Sequence, residues 1–452
     1  MGAIYDLHSF LEVLEEAGQL ARIDVPVSLK YELADVTMQL ERQNGPAPLF
    51  TRVEGHTVPV VANLLGSIER IALALECPQE QVLARMDHGL THLVEPVLVE
   101  DAPFLRNVIA EPDLSKLPIP LHAELDGGPY ITGAVTIGLD PDTGRHNLSY
   151  TRAEVKGPRR LTVLTNEWRH QREFFDKAEA KGQEYPLALT IGHDPVVLIA
   201  AGVKTPVDEL QIAGGLRGRP IPVARCATIP VTVPANTDIV IEGIVRPGVR
   251  EMEGPMAEFH HHYGAGWPVH VMEVTAICFR DEAIYHTIVP ASFEHIYIGN
   301  VLPREPVLRR FVSHINPGAR VHIPPYSSGF MALISVEKRN PGEPRNLALA
   351  ALTSHMNLDV CIVVDPDVDI YNPHDVLWAL ATRVDWEHDV FVVPGAQGHE
   401  MCPAADDRGI IGKIGIDATL HKGRKREYAP RVQYHKVDLA RYLQAKLTQV
   451  AG

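Results

Sequence analysis

Two apolar stretches with strand patterning, residues 238–245 and 269–279, are joined by a segment through which no helix can run. Glu253-Gly254-Pro255-Met256-Ala257-Glu258 sits in that segment. Pro255 lacks an amide hydrogen and biases Gly254 away from helical backbone. The segment therefore reads as an irregular loop between two core strands, one that aims side chains rather than burying them. It carries two carboxylates five residues apart, and acids on a loop held by a rigid sheet are one way to build an acid/base site.

The strand pattern extends well beyond this pair. Residues 131–139 and 147–155 read as strands joined by the turn Asp140-Pro141-Asp142-Thr143-Gly144. Further strands are expected at 187–191, 196–201, 231–233 and 283–289, with one helix at 167–181. So many strands with a single helix imply a barrel-like or sandwich domain. Upstream, Asp6 caps a helix that Gly18 ends, a strand covers 20–25, and a second helix at 32–42 stops at Asn44-Gly45. Strands at 48–53 and 58–65 and helices at 68–75 and 79–86 complete a small α/β unit. Leu117-Pro118-Ile119-Pro120-Leu121 is the candidate linker out of it.

Downstream of 300, helices at 305–315, 345–356 and 373–383 alternate with strands at 330–336, 360–364 and 390–393, a βαβ pattern. Val437, Leu439, Tyr442, Leu443 and Leu447 suggest an amphipathic terminal helix that docks on its own chain or on another subunit. The fold class is α/β (α+β) in three units: an N-terminal α/β domain (1–116), a central β domain (117–302) and a C-terminal α/β domain with the terminal helix (303–452).

A net charge of −15 argues against non-specific binding to nucleic acid or to an anionic membrane surface. The five cysteines are scattered and form no Cys-x-x-Cys, as expected of reduced thiols rather than a disulfide frame or zinc site. The chain shows no basic-then-apolar leader pattern and no window of eighteen uninterrupted apolar residues. A cytoplasmic protein is expected.

Asn147, His170 and Glu209 offer an amide oxygen, an imidazole and a carboxylate, a set that suits Mn²⁺ or Mg²⁺ better than zinc. Their long spacing leaves open whether they meet. In His260-His261-His262, alternation on an extended segment lets at most His260 and His262 share a side, so one pocket-lining histidine is expected. The glycine-rich 213–219 matches neither a Rossmann fingerprint nor a P-loop and reads as a turn with a basic rim. Asp365-Pro366-Asp367-Val368-Asp369 lacks the glycine and closing glutamate of an EF-hand and reads as a solvated connection.

Taken in order, the pieces become specific. Asn147-Leu148-Ser149-Tyr150-Thr151-Arg152, Arg169-His170, Glu209-Leu210-Gln211-Ile212-Ala213-Gly214, Val233-Pro234-Ala235, Ile241-Glu242-Gly243 and Glu253-Gly254-Pro255-x-x-Glu258 together resemble the UbiD family of reversible (de)carboxylases that use prenylated flavin mononucleotide. The resemblance continues through Trp378-Ala379-Leu380-Ala381-Thr382-Arg383 and Ile416-Asp417-Ala418-Thr419. It implies that the central domain is a split β-barrel that binds the flavin. It also implies Mn²⁺ (or Mg²⁺) on Asn147, His170 and Glu209, gripping the flavin phosphate, and K⁺ beside it near Leu148 and the 200–203 carbonyls. Thr132, Ser149, Arg152, Arg169, His170 and Glu209 fall on cofactor-contacting positions, and Arg152, Glu253 and Glu258 on the catalytic Glu–Arg–Glu set. Arg169 stands where some members carry glutamine, and Ser354 or His355 where some carry a phosphate-binding lysine, for which Lys413 is a candidate substitute.

The resemblance implies loss of CO₂ from an aromatic carboxylate, with the electron pair accepted by the cofactor and a proton supplied by Glu258. His295 and Arg304 follow the β domain and are candidates to receive a carboxylate or ring heteroatom of the substrate. A small heteroaromatic acid of the furan-2,5-dicarboxylate or pyrrole-2-carboxylate type is expected. The alternatives are a hydroxybenzoate-type decarboxylase of the same family, a non-catalytic flavin-binding or assembly subunit, and a flavin-dependent reductase. Expected partners are a flavin prenyltransferase that supplies the cofactor and further copies of the chain, as a homodimer or higher homo-oligomer.

Overall fold

In the computed structural model, which describes residues 2–166, 169–399, 401–421, 431, 432 and 437, the strand Ile239–Glu253 pairs antiparallel with the strand Trp267–Phe279. These two long strands form the spine of a nine-stranded sheet. Beyond Trp267–Phe279 lie Arg160–Val163, Ala153–Gly157 and Tyr130–Ile131; beyond Ile239–Glu253 lie Tyr185–Ile191, Val135–Leu139 and His146–Tyr150. Asn107–Ile109 adds to Trp267–Phe279.

Both faces of the sheet are covered, as strand alternation dictates. Leu187, Leu189, Ile239 and Ile241 point into one apolar cluster with Phe174 and Phe175 of the helix His170–Ala180. Ala188 and Val240, one residue out of step, point into the other, with the helices Pro195–Ala201 and Glu209–Arg217 and the N-terminal helix Leu7–Glu16. The N-terminal four-stranded sheet is completed by Tyr285–Thr287, which returns from the central region to pair parallel with Val60–Ala62. In the C-terminal sheet Met331–Ser335, Val360–Val364 and Ile410–Ala418 run parallel, with the helices Glu343–Ser354 and Pro373–Arg383 in the connections. Among the described residues no helix is long and apolar enough to cross a membrane.

Four expectations are corrected. Residues 196–201 are not a strand but lie in the helix Pro195–Ala201, capped by Asp194 with Pro195 in its first turn; every residue of it is buried, so no apolar period was available to distinguish the two. The glycine-rich run is not a turn. It lies in the helix Glu209–Arg217, closed by left-handed Gly218, and the glycines let that helix approach the backbone at 89–94. Among the described residues the central unit therefore holds four α-helices rather than one, His170–Ala180, Pro195–Ala201, Glu209–Arg217 and the short Phe293–Ile296. The expected strand 147–155 divides into His146–Tyr150 and Ala153–Gly157, leaving Thr151 and Arg152 at the break. Asp365 and Asp367 are not merely solvated, because they hold the buried Arg383 at 3.0 and 2.9 Å. The terminal-helix residues Leu439, Tyr442, Leu443 and Leu447 lie outside the described residues.

Helix Glu209–Arg217 sets the position of Glu209, and its seating depends on the missing side chains. A Cβ on Gly215 would lie 2.3 Å from the His92 carbonyl oxygen and 2.9 Å from that of Gly89. Gly215→Ala is expected to cost about 1–3 kcal/mol through overpacking against rigid backbone, read as a lowered midpoint in urea denaturation.

Candidate active site

Arg152 occupies the break between two strands, where its guanidinium meets both acids of the 253–258 loop. Its Nε lies 2.8 Å from Glu253 Oε1, its Nη2 donates to Glu253 Oε2 at 2.8 Å, and its Nη1 pairs with Glu258 Oε1. Glu253 is the last residue of its strand and fully buried, while Glu258 follows the short pairing of Met256–Ala257 with Tyr263–Gly264. The side chains of Arg152 and Glu258 are each 10 % exposed, so the pair is screened from bulk water but reachable. One guanidinium between two carboxylates leaves a net negative charge and fixes the reach of Glu258.

Arg152 and Glu258 line a cavity of about 180 Å³. Thr132, Ser149, Arg169, His295 and Arg304 line it too, so the structure brings these sequence-selected residues together; Glu253, paired with Arg152, is outside the lining. Thr132 Oγ1 accepts from the Ile288 amide at 3.2 Å, and Ser149 Oγ is buried without a partner. His295 rides on the short helix Phe293–Ile296, whose Glu294 anchors it by accepting from the Leu65 amide at 3.0 Å.

The cavity is rich in cationic and imidazole groups. Burial pulls the Arg169 pKa down, and burial with Arg169 as neighbour pulls Arg304 down to about 9. With its amide oxygen turned toward Arg304, Asn357 accepts from Nη1 and Nη2 at 2.9 and 3.2 Å. Burial, reinforced by nearby cationic groups, lowers His295 and His399 to about 4, so both imidazoles are neutral near pH 7. Partly buried arginines clustered in this way are stabilised by an anion.

A second set meets at one edge of this cavity. Asn147, His170, Lys204 and Glu209 line a cleft of about 10 Å³, too small for more than an ion or a water. Glu209 starts its helix and accepts from the Leu148 amide at 2.9 Å; its pKa is pushed up to about 8, chiefly by burial. Asn147 Nδ2 is buried with no partner. His170 starts the helix His170–Ala180, and burial together with Arg145 lowers its pKa, keeping the ring neutral and able to ligate. The Glu209 carboxylate, the neutral His170 imidazole and the Asn147 amide oxygen form a donor set for a hard cation. Among the described residues no group of three or more His, Cys, Asp or Glu could hold a metal, which fits a set that includes an amide.

Some expectations moved. His260 and His262 do share a side, with ring centroids 5.6 Å apart, yet neither lines the cavity. The lining histidines are His295 and His399. His399 and Met401 come from the loop after the strand Val390–Gln397, and Phe259 stacks on Phe330 at 5.6 Å below them. Sequence reasoning missed all three; long-range packing delivers His399 and Met401, whereas Phe259 directly follows Glu258. Lys413 is buried and donates to the Met356 carbonyl at 2.8 Å, near the end of the helix Glu343–Ser354, rather than lining either cleft.

Comparison with known proteins gives three consecutive family matches. Residues 11–88, 97–293 and 296–418 match the N-terminal, Rift-related and C-terminal domains of 3-octaprenyl-4-hydroxybenzoate carboxy-lyase. The UbiD-class enzyme HmfF from Pelotomaculum thermopropionicum, solved with FMN, superimposes with a TM-score of 0.93 at 40% identity, covering 97% of this chain and 100% of that one. An evolved dimeric form of HmfF was solved with prFMN. An anhydromevalonate phosphate decarboxylase of Methanothermobacter thermautotrophicus is 33% identical over 91% of this chain and 96% of its own length. A phenolic acid decarboxylase of Streptomyces sp. is 34% identical over 92% of each. With these matches running the length of its described fold, the chain belongs to the UbiD family and is a carboxy-lyase.

Proposed function

We propose that the protein catalyses the reversible, non-oxidative decarboxylation of a small aromatic or heteroaromatic acid, of the furan-2,5-dicarboxylate or pyrrole-2-carboxylate type, with prenylated FMN as cofactor. The observation that carries this reading is Arg152 held between Glu253 and Glu258 on the wall of a cavity that also presents two further arginines. The likeness to HmfF, solved with FMN and prFMN, supports the flavin. The chemistry the bound flavin supplies is an electron sink for the pair left when a carboxyl group departs.

The remaining work falls to side chains. Asn147, His170 and Glu209 would hold Mn²⁺ (or Mg²⁺) at the phosphate end, a template role rather than water activation. Ala201 and Val203 line the same cleft, which supports K⁺ beside the Leu148 and 200–203 carbonyls. Thr132, Ser149 and Arg169 would contact the cofactor. Glu258 delivers a proton to the ring carbon that CO₂ leaves, and Arg152 keeps its carboxyl in reach. Arg304 and neutral His295 would receive a second carboxylate or a ring heteroatom, the arginine by charge and the imidazole by a hydrogen bond. A flavin prenyltransferase is needed as supplier, and self-association through the terminal segment belongs to the same reading.

The deciding experiment uses holoprotein made together with a flavin prenyltransferase. CO₂ release from furan, pyrrole, indole and hydroxybenzoate acids, without NAD(P)H consumption, separates this reading from a reductase or an assembly subunit. Release from hydroxybenzoates alone would move the substrate class. Glu258→Gln should retain the flavin spectrum while kcat falls roughly 10²–10⁴-fold, the range for losing a general acid; an unchanged rate would remove Glu258 from that role. Dialysis against a chelator should strip manganese and weaken flavin retention, with restoration by Mn²⁺ in the parent protein but not in Glu209→Gln, followed by metal analysis and visible absorbance. Arg304→Gln should raise KM for furan-2,5-dicarboxylate by roughly tenfold to a hundredfold, the worth of a charged hydrogen bond of about 1.5–3 kcal/mol, with a smaller effect on a monocarboxylate.

A further inference from the structure

Two more carboxylates lie beside the Glu–Arg–Glu set without entering the cavity, and both are spent on backbone. Asp126 Oδ1 accepts from the Ala257 amide at 2.8 Å, and its Oδ2 from the Ala123 amide at 2.9 Å. Glu154 is only 2 % exposed. Its Oε2 accepts from the Gly254 amide at 3.0 Å and from Tyr130 Oη at 3.2 Å, while Lys156 Nζ lies 2.7 Å from its Oε1. Gly127 N donates to the Pro255 carbonyl at 2.7 Å. Every one of the loop contacts falls between Glu253 and Glu258, the stretch whose path sets the separation of the two acids.

The geometry also ties this clamp to Arg152. Arg152 and Glu154 lie two residues apart, one at the strand break and the other in the strand Ala153–Gly157, and both reach the acid loop. One segment thus grips the acid loop twice, by the glutamate side chains through Arg152 and by the intervening backbone through Glu154. On the other flank the fit is tight: a Cβ on Gly127 would lie 2.6 Å from the Gly254 carbonyl oxygen. Placing further acids next to two existing ones is unfavourable unless each accepts hydrogen bonds, and for each acid one of those bonds comes from this loop.

We propose that Asp126 and Glu154 are positioning residues for the proton transfer assigned to Glu258, holding residues 254–257 so that Glu258 stays on Arg152 and within reach of the ring carbon. The inference rests on the decarboxylase reading above. It attributes the effect of Asp126 to its acceptor oxygen, not to its charge, because that oxygen meets the Ala257 amide.

The test compares Asp126→Ala with Asp126→Asn, which keeps an acceptor oxygen. Backbone hydrogen exchange of the peptide covering 254–258, measured on protein without added substrate, should speed up in D126A and stay near the parent rate in D126N. With the panel acid from which the parent holoprotein releases CO₂, kcat of D126A should fall roughly 30–100-fold with KM within about threefold, the cost of a misplacement near 1 Å. D126N should recover to within about threefold of the parent. Should D126A fail to fold, Gly127→Ala displaces the same loop without removing a charge and must show the same kcat loss. A D126A enzyme of parental kcat, or a D126N enzyme as impaired as D126A, overturns the proposal. Glu258→Gln run alongside separates the two levels: if E258Q is impaired and D126A is not, only the positioning role fails, whereas an unimpaired E258Q or a parent that releases no CO₂ removes the reading beneath it.

Discussion

The structure around the site depends on keeping one arginine between two carboxylates in a place with little water. Burying three charges is expensive, and such a cluster persists only with good geometry and satisfied hydrogen bonds. Both conditions are met by the sheet. The strand break at Thr151 and Arg152 turns the guanidinium out of the ladder, and the long strand Ile239–Glu253 ends at the residue that receives two of its nitrogens. The opposed apolar clusters on the two faces hold that sheet rigid, so the acids inherit their precision from the core.

The cavity is left incomplete at two ends of opposite sign. At one edge the buried Glu209 shares a cleft with Asn147 and the neutral imidazole of His170, a set that suits a cation. Arg304, its pKa pulled down by burial and by Arg169 as neighbour, adds positive charge to the cavity, a demand for an anion. Desolvated groups of this kind are costly unless a counter-charge is supplied. Binding energy is thereby stored at the ends of the pocket, while the acid pair occupies its wall. That division suits a reaction in which the cofactor is gripped by its tail and the substrate by the group that does not react.

Much of this was legible in the sequence wherever a periodicity or a cap carried the information. The helix Glu32–Arg42, the strand Val360–Val364 and the helix Pro373–Arg383 lie where the apolar spacing puts them. Pro195–Ala201 failed because a segment buried on all sides has no polar face to mark its period; the Asp194-Pro195 start was its only local sign. The run around Gly214 and Gly215 failed for a different reason. Its glycines serve close packing against Gly89, His92 and Val94, a tertiary demand that looks like turn chemistry in one dimension. At the site, the ordered motifs led to the residues that now share a cavity, whereas His399 and Met401 arrive from more than a hundred residues beyond Glu258 and carry no local signal.

The histidines complete the electrostatic logic. Near pH 7 His295 and His399 are neutral, because burial and the adjoining cationic groups disfavour further positive charge. They therefore contribute direction rather than charge: each ring offers one donor and one acceptor, with the tautomer set by its other contact. His295 Nδ1 accepts from the Ala291 amide at 3.3 Å, which leaves Nε2 as the donor. On the proposed function, a substrate group received here would meet the positive charge of Arg304 and a weaker, oriented hydrogen bond from imidazole. Such a pairing rewards a planar oxyanion at a set distance from the reacting carbon, and it gives less to a neutral ring substituent that the arginine must desolvate for nothing in return.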